Sequence, residues 1–164
     1  MDDNEFFSSV FEEVKEMLVG YFIANGINSN DVEELVNETF LLAWKYRTTL
    51  RERRKVKNWI FTIARNVLKA YKRMLIKQRR FFTNLNENIS LQKGIRDDED
   101  TSLLLDIIDK LPQMYKDVFI LFYVEQRSLK EISEIIGVSE NSCKVRLFRA
   151  REKIRKILEK YNET

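Results

Sequence analysis

One proline and four glycines in 164 residues leave this chain almost without the residues that stop a helix. An all-β chain needs frequent turns, and turns draw on Gly and Pro. Long stretches in which apolar residues recur every three or four positions predict an all-α fold instead. With 44% hydrophobic residues, the chain can pack one ordinary domain or two small ones.

The first stripe is Phe7, Val10, Phe11, Val14, Leu18 and Tyr21, on a helix expected from Phe6 to Phe22. Asn25, Gly26 and Asn28 predict a loop, after which Asn30 is placed to cap a second helix. In that helix Val32, Leu35, Val36, Thr39, Phe40, Ala43 and Trp44 point inward, leaving Glu34, Asn37, Glu38 and Leu41 for other faces. Thr48 to Lys57 is polar and basic, which predicts a loop. Asn58 is expected to cap a third helix from Trp59 to about Arg79. Its inward stripe is Ile60, Ile63, Ala64, Val67, Leu68 and Tyr71; Arg65, Lys69, Lys72 and Arg73 make its other side basic. Both Trp44 and Trp59 read first as core residues.

From Phe81 to Asp100 the character changes, with Asn84, Asn86, Asn88, Gly94 and the acidic run Asp97 to Asp100. A flexible linker is expected there, a short extra helix being the other option. Residues 1–80 and 101–164 then form two small helical domains. Beyond the linker, Leu103 to Lys110 and Gln113 to about Glu125 read as helices, with Pro112 opening the second.

Next comes a helix-turn-helix, from about Leu129 to Lys156. Ser128 and Glu131 make a capping box. The first helix is expected to bury Leu129, Ile132 and Ile136, and Ser133 is small enough for a close crossing. Gly137 stands where a helix ends in left-handed geometry. Val138 plugs the turn and Ser139 caps the second helix. There Cys143, Leu147, Ala150, Ile154 and Leu158 are expected inside, Cys143 as a small apolar residue. Lys144, Arg146, Arg149, Arg151 and Arg155 are left for solvent or for DNA, whose major groove admits such a helix. The second domain is thus expected to be tetrahelical and winged-helix-like.

Charge is distributed in blocks. Residues 1–43 hold ten acidic side chains and one basic, a net of −9. Residues 45–80 hold fourteen basic and one acidic, a net of +13, and residues 144–160 a net of +6. The basic blocks suit phosphate neutralisation, and the acidic one suits a surface that meets protein. With no His and a single Cys143, neither a zinc site nor His-dependent acid–base catalysis is expected. No cofactor is implied. The absence of a long apolar run, and an acidic start unlike a signal peptide, lead to the expectation of a soluble cytoplasmic protein with no membrane insertion.

Two motif groups carry a resemblance. The first is Asp31-Val-Glu-Glu-Leu-Val-Asn-Glu-Thr-Phe-Leu-Leu-Ala-Trp44 with Trp59-Ile-Phe-Thr-Ile-Ala-Arg-Asn66. The second is Leu111-Pro-Gln-Met-Tyr with the helix-turn-helix ending Leu147-Phe-Arg-Ala-Arg151. In this order they resemble the extracytoplasmic-function group of the sigma-70 family of bacterial RNA polymerase sigma factors. The resemblance implies that the first domain binds the clamp helices of the largest polymerase subunit through Glu34, Asn37, Glu38 and Leu41. Asn37 stands where the family usually has Gln. It implies that Arg53, Lys57, Arg65, Asn66, Lys69, Lys72 and Arg73 approach the −10 element, where a base is flipped out. Ala70 stands where the family often has Asp. The second domain is implied to sit on the flap of the other large subunit and to read the −35 element with Ser139, Lys144, Arg146, Phe148, Arg149 and Arg151. An anti-sigma factor is a further implied partner.

Two rival functions compete with a promoter-specificity subunit that is not itself an enzyme. A stand-alone helix-turn-helix regulator would need a ligand or dimerisation domain, which residues 1–80 do not resemble. A small nuclease would need a carboxylate or His cluster on a basic face, and none is legible.

Overall fold

The computed structural model describes residues 2–84 and 99–162, and among these residues every regular element is helical. The first half is α1 (Asp3–Ala24), α2 (Ser29–Lys45) and α3 (Val56–Asn84). The second is α4 (Glu99–Asp109), α5 (Gln113–Phe119), a single π turn (Ile120–Val124), α6 (Leu129–Ile136) and α7 (Glu140–Asn162). No helix here is long and apolar enough to cross a membrane.

The expected stripes fold inward. Val14, Leu18 and Phe22 of α1 pack with Val32, Leu35 and Val36 of α2 and with Ile60, Ala64 and Leu68 of α3. Phe61 joins them, buried and edge-on to Tyr21 with ring centroids 5.8 Å apart. It lies outside the inward stripe read from the sequence, because it faces the second half of the chain rather than α1 and α2 alone. Trp44 and Trp59 are half-buried, both against Phe7.

Several local expectations need correction. The cap of α2 is Asn28, whose side chain accepts from the Asn30 amide at 3.1 Å, and not Asn30. Asn58 caps nothing: α3 already begins at Val56, after two 3-10 turns at Arg47–Thr49 and Arg53–Lys55. The helix expected from Gln113 to Glu125 is α only to Phe119 before it widens into the π turn. Both ends of the expected linker are helical, since α3 runs to Asn84 and α4 opens at Glu99; residues 85–98 lie outside the described residues. In α6 it is Ile132 and Ile135 that are buried, with Leu129 and Ile136 half-buried, because α6 packs on α3 as well as on α7. In α7 the buried stripe stops at Ala150; Ile154 is half-buried and Leu158 exposed, as α7 runs past the elements that cover it.

The helix-turn-helix has the local chemistry expected of it. Both hydrogen bonds of the Ser128–Glu131 capping box form. Gly137 ends α6 at φ 84°, a left-handed conformation that costs a side chain more than it costs glycine. The Ser133 hydroxyl donates to the Val138 carbonyl and so ties the turn to α6. Ser139 Oγ accepts from the Ser142 amide at 3.0 Å, capping α7.

The two halves do not lie apart. One apolar cluster runs from Val14 and Phe61 through Val118, Ile120 and Leu121 to Ile132, Ile135, Cys143 and Leu147. At Gly20 of α1 an added Cβ would lie 3.1 Å from Glu125 Oε1 of the second half. A glycine there lets the π turn press against α1.

Candidate nucleic-acid interface

The basic side of α3 is only partly open to solvent. Arg65 Nε donates to Asp117 Oδ2 of α5 at 3.1 Å, with the two side chains 19% and 2% exposed. Lys72 Nζ donates to Gln113 Oε1 at 2.9 Å, and Gln113 Nε2 donates to Asp117 Oδ1 at 2.8 Å. Burial, with Lys116 nearby, lowers the Lys72 ammonium to about 8. Further along, Asn58 Nδ2 donates to Glu134 Oε2 of α6 at 3.0 Å, while Lys55 Nζ stands 3.5 Å from Glu134 Oε1. The Thr62 hydroxyl is shared between the Asn58 carbonyl of its own helix at 3.0 Å and the Ile135 carbonyl at 3.3 Å. Lys69 is half-buried on this side of α3, and Asn66 and Arg73 are exposed.

The other cations expected at this surface meet α1. Arg53 pairs with Asp3 at 2.9 Å and lies over the Phe6 ring, and Lys57 pairs with Glu13. Part of the acidic N-terminal block is therefore spent inside the chain. Beside these residues opens a cavity of about 420 Å³, lined among others by Leu50, Arg51, Lys55, Asn58, Trp59 and Glu134.

On α2, Glu34, Asn37 and Glu38 are all exposed, and Leu41 is 69% exposed. They share one side of the helix, whose opposite face packs in the core, and at its flank the Tyr71 hydroxyl donates to Asp31. Burial and that bond push the Tyr71 phenol above its ordinary range.

On α7, Lys144 and Arg149 are exposed, Arg146 is half-buried and Phe148 is 62% exposed. Ser139 serves as the α7 cap. Arg151 does not pair with Glu152 or Glu159. Its Nε donates to the Tyr123 hydroxyl at 2.6 Å, and Arg155 takes both of those carboxylates. Cys143 is a fully buried free thiol whose ionisation burial suppresses.

Sequence reasoning missed the acidic partners. Asp117 sits just before the apolar run Val118 to Val124, an odd place for a carboxylate and the one available signal. Glu125, beside Gly20, is raised by burial to about 7, with Arg127 opposing. The folded chain thus keeps this proton at pH values where the unfolded chain releases it. The stability contributed by the protonated carboxyl is present below the ordinary glutamate range and lost as pH rises towards 7, by up to about 3 kcal/mol. Glu125→Gln is expected to remove that slope. Thermal unfolding from pH 5 to 8 checks it, and a slope unchanged in the variant would contradict it.

The family model for Sigma-70 region 2 matches residues 10–79, and that for Sigma-70 region 4 matches residues 101–154. The chain is 32% identical over 124 residues to the RNA polymerase sigma factor SigV of Bacillus subtilis, covering 75% of this chain and 73% of that one. It is 30% identical over 126 residues to the ECF RNA polymerase sigma factor SigM of the same organism, covering 75% and 77%. Its fold is similar to the sigma factor RpoE of Bartonella quintana, solved with the anti-sigma factor NepR, at a TM-score of 0.73 and 22% identity over 93% of this chain and 96% of that one.

Proposed function

Because the chain belongs to the extracytoplasmic-function group of sigma-70 factors, we propose that it divides promoter reading between two surfaces of the fold described above. As a sigma factor it partners core RNA polymerase and promoter DNA, and directs promoter-specific initiation. Both halves match sigma-70 regions, so a stand-alone regulator has no support.

In this reading Glu34, Asn37, Glu38 and Leu41 meet the polymerase clamp helices, and Arg53, Lys57, Arg65, Asn66, Lys69, Lys72 and Arg73 face the melted −10 strand. Lys144, Arg146, Phe148 and Arg149 enter the −35 major groove, with Ser139 fixing the start of that helix and Arg151 held on Tyr123 at its edge. The observation that carries it is the pairing of a locally complete helix-turn-helix with an α7 whose Lys144, Phe148 and Arg149 stand exposed. The chemistry of RNA synthesis is the polymerase's, and the chain adds no catalytic group of its own. A cytoplasmic location and control by an anti-sigma factor belong to the same proposal, the latter supported by the partner of the similar RpoE.

Purified chain with core polymerase is expected to start transcription at discrete genomic sites. Identical starts with core alone would refute the reading. At a promoter with a −35 element, Arg149→Ala is expected to lower initiation about tenfold or more, one good base contact contributing about 1–3 kcal/mol. Undiminished initiation there would move the groove contact elsewhere on α7.

A further inference from the structure

The acids that pair across the two halves stand on, or directly beside, the proposed −10 surface. Asp117 and Glu134 both belong to the second half, and their partners Arg65, Lys55 and Asn58 lie on or beside the basic side of α3. A carboxylate carries the same single negative charge as a backbone phosphodiester and accepts from the same guanidinium and ammonium donors, so it can stand in for one. We propose that Asp117 and Glu134 form an acidic latch that closes the free chain by occupying the phosphate positions of the −10 surface, so that single-stranded DNA and the second half compete for one face. This rests on the reading of the basic side of α3 as the −10 surface.

The physics of the pair gives the latch its sign. The apolar cluster shared by the two halves supplies adhesion without direction. A buried ion pair adds little net adhesion, since desolvation offsets attraction, but losing one partner leaves the other charge buried and uncompensated. With Asp117 neutralised, Arg65 is such a charge in the closed form and a solvated one in the open form. The equilibrium therefore shifts toward opening. Glu134 acts from the rim, where it also walls the cavity beside Trp59. Lys72, bound to Gln113 and through it to Asp117, is released by the same opening.

The test uses the full chain without polymerase. Labels at Ser9→Cys on α1 and Glu159→Cys on α7 report the distance between the halves, Cys143 being buried and slow to label. Affinity for a short fluorescent single-stranded oligodeoxynucleotide reports competition. In Asp117→Asn/Glu134→Gln the distance distribution is expected to broaden to longer values and affinity to rise about tenfold. Glu12→Gln/Glu16→Gln changes net charge equally on exposed α1 positions and is expected to change neither. Glu134→Gln alone, which leaves the buried pair intact, is expected to raise affinity about threefold. Unchanged distances in the double variant, or a rise equal to that of the α1 control, overturns the latch. Lys69→Ala/Arg73→Ala, cations outside the latch, tests the surface itself in the polymerase complex. If promoter opening survives it, the −10 reading fails, whereas the latch stands or falls on the acidic variants.

Discussion

Phe61→Ala is expected to lower the free energy of unfolding by about 3–5 kcal/mol, the largest stability change foreseen for any single substitution in this chain. Phe61 is 1% exposed, edge-on to Tyr21 and beneath the Arg127 guanidinium at 5.6 Å. Truncation removes the ring's burial, its aromatic contact and the base on which Arg127 rests, and the rigid helices around it can close only part of the void. Urea denaturation followed by helix signal measures it. Met74→Ala, at a 47% exposed position on the same helix, is expected to stay within about 0.5 kcal/mol. A Phe61→Ala loss no larger than that of Met74→Ala would show that the ring is not part of a shared core.

The second large effect is on assembly rather than stability. On the proposed reading of α2, Leu41→Glu is expected to weaken association with core polymerase about 100-fold, which corresponds to about 2.7 kcal/mol. An apolar side chain 69% exposed in the free chain gains little from its own fold and has most of its surface left to bury against a partner. Placing a carboxylate there buries a charge in the complex. The melting temperature of the free chain should not move by more than about a degree or two. Fluorescence anisotropy of labelled chain titrated with core polymerase measures the affinity. Unchanged affinity would remove α2 from the polymerase contact, and a large fall in melting temperature would make the effect one of folding.

The features legible in advance were those whose partners lie within a few residues. The capping box of Ser128 and Glu131, the turn at Gly137 and the Ser139 cap all close over three or four positions. The stripes of α1, α2 and α3 follow from helix periodicity, and so does the exposure of Glu34, Asn37, Glu38 and Leu41 on the face opposite. The cap at Asn28 in place of Asn30, and the early start of α3, were lost because two Asn residues and a polar loop offer several equivalent starts. The widening of α5 into a π turn has no signal in residue type.

What the chain's order of residues determined alone was an all-α protein with a helix-turn-helix and two basic faces, because helix periodicity, caps and charge are local properties. Which cations on those faces are free was decided only by the tertiary structure. Arg65 meets Asp117 across 52 positions, and Lys72 meets Gln113 across 41. The worth of each such contact depends on separation and on burial, through the local dielectric. Neither quantity exists until the two halves have packed.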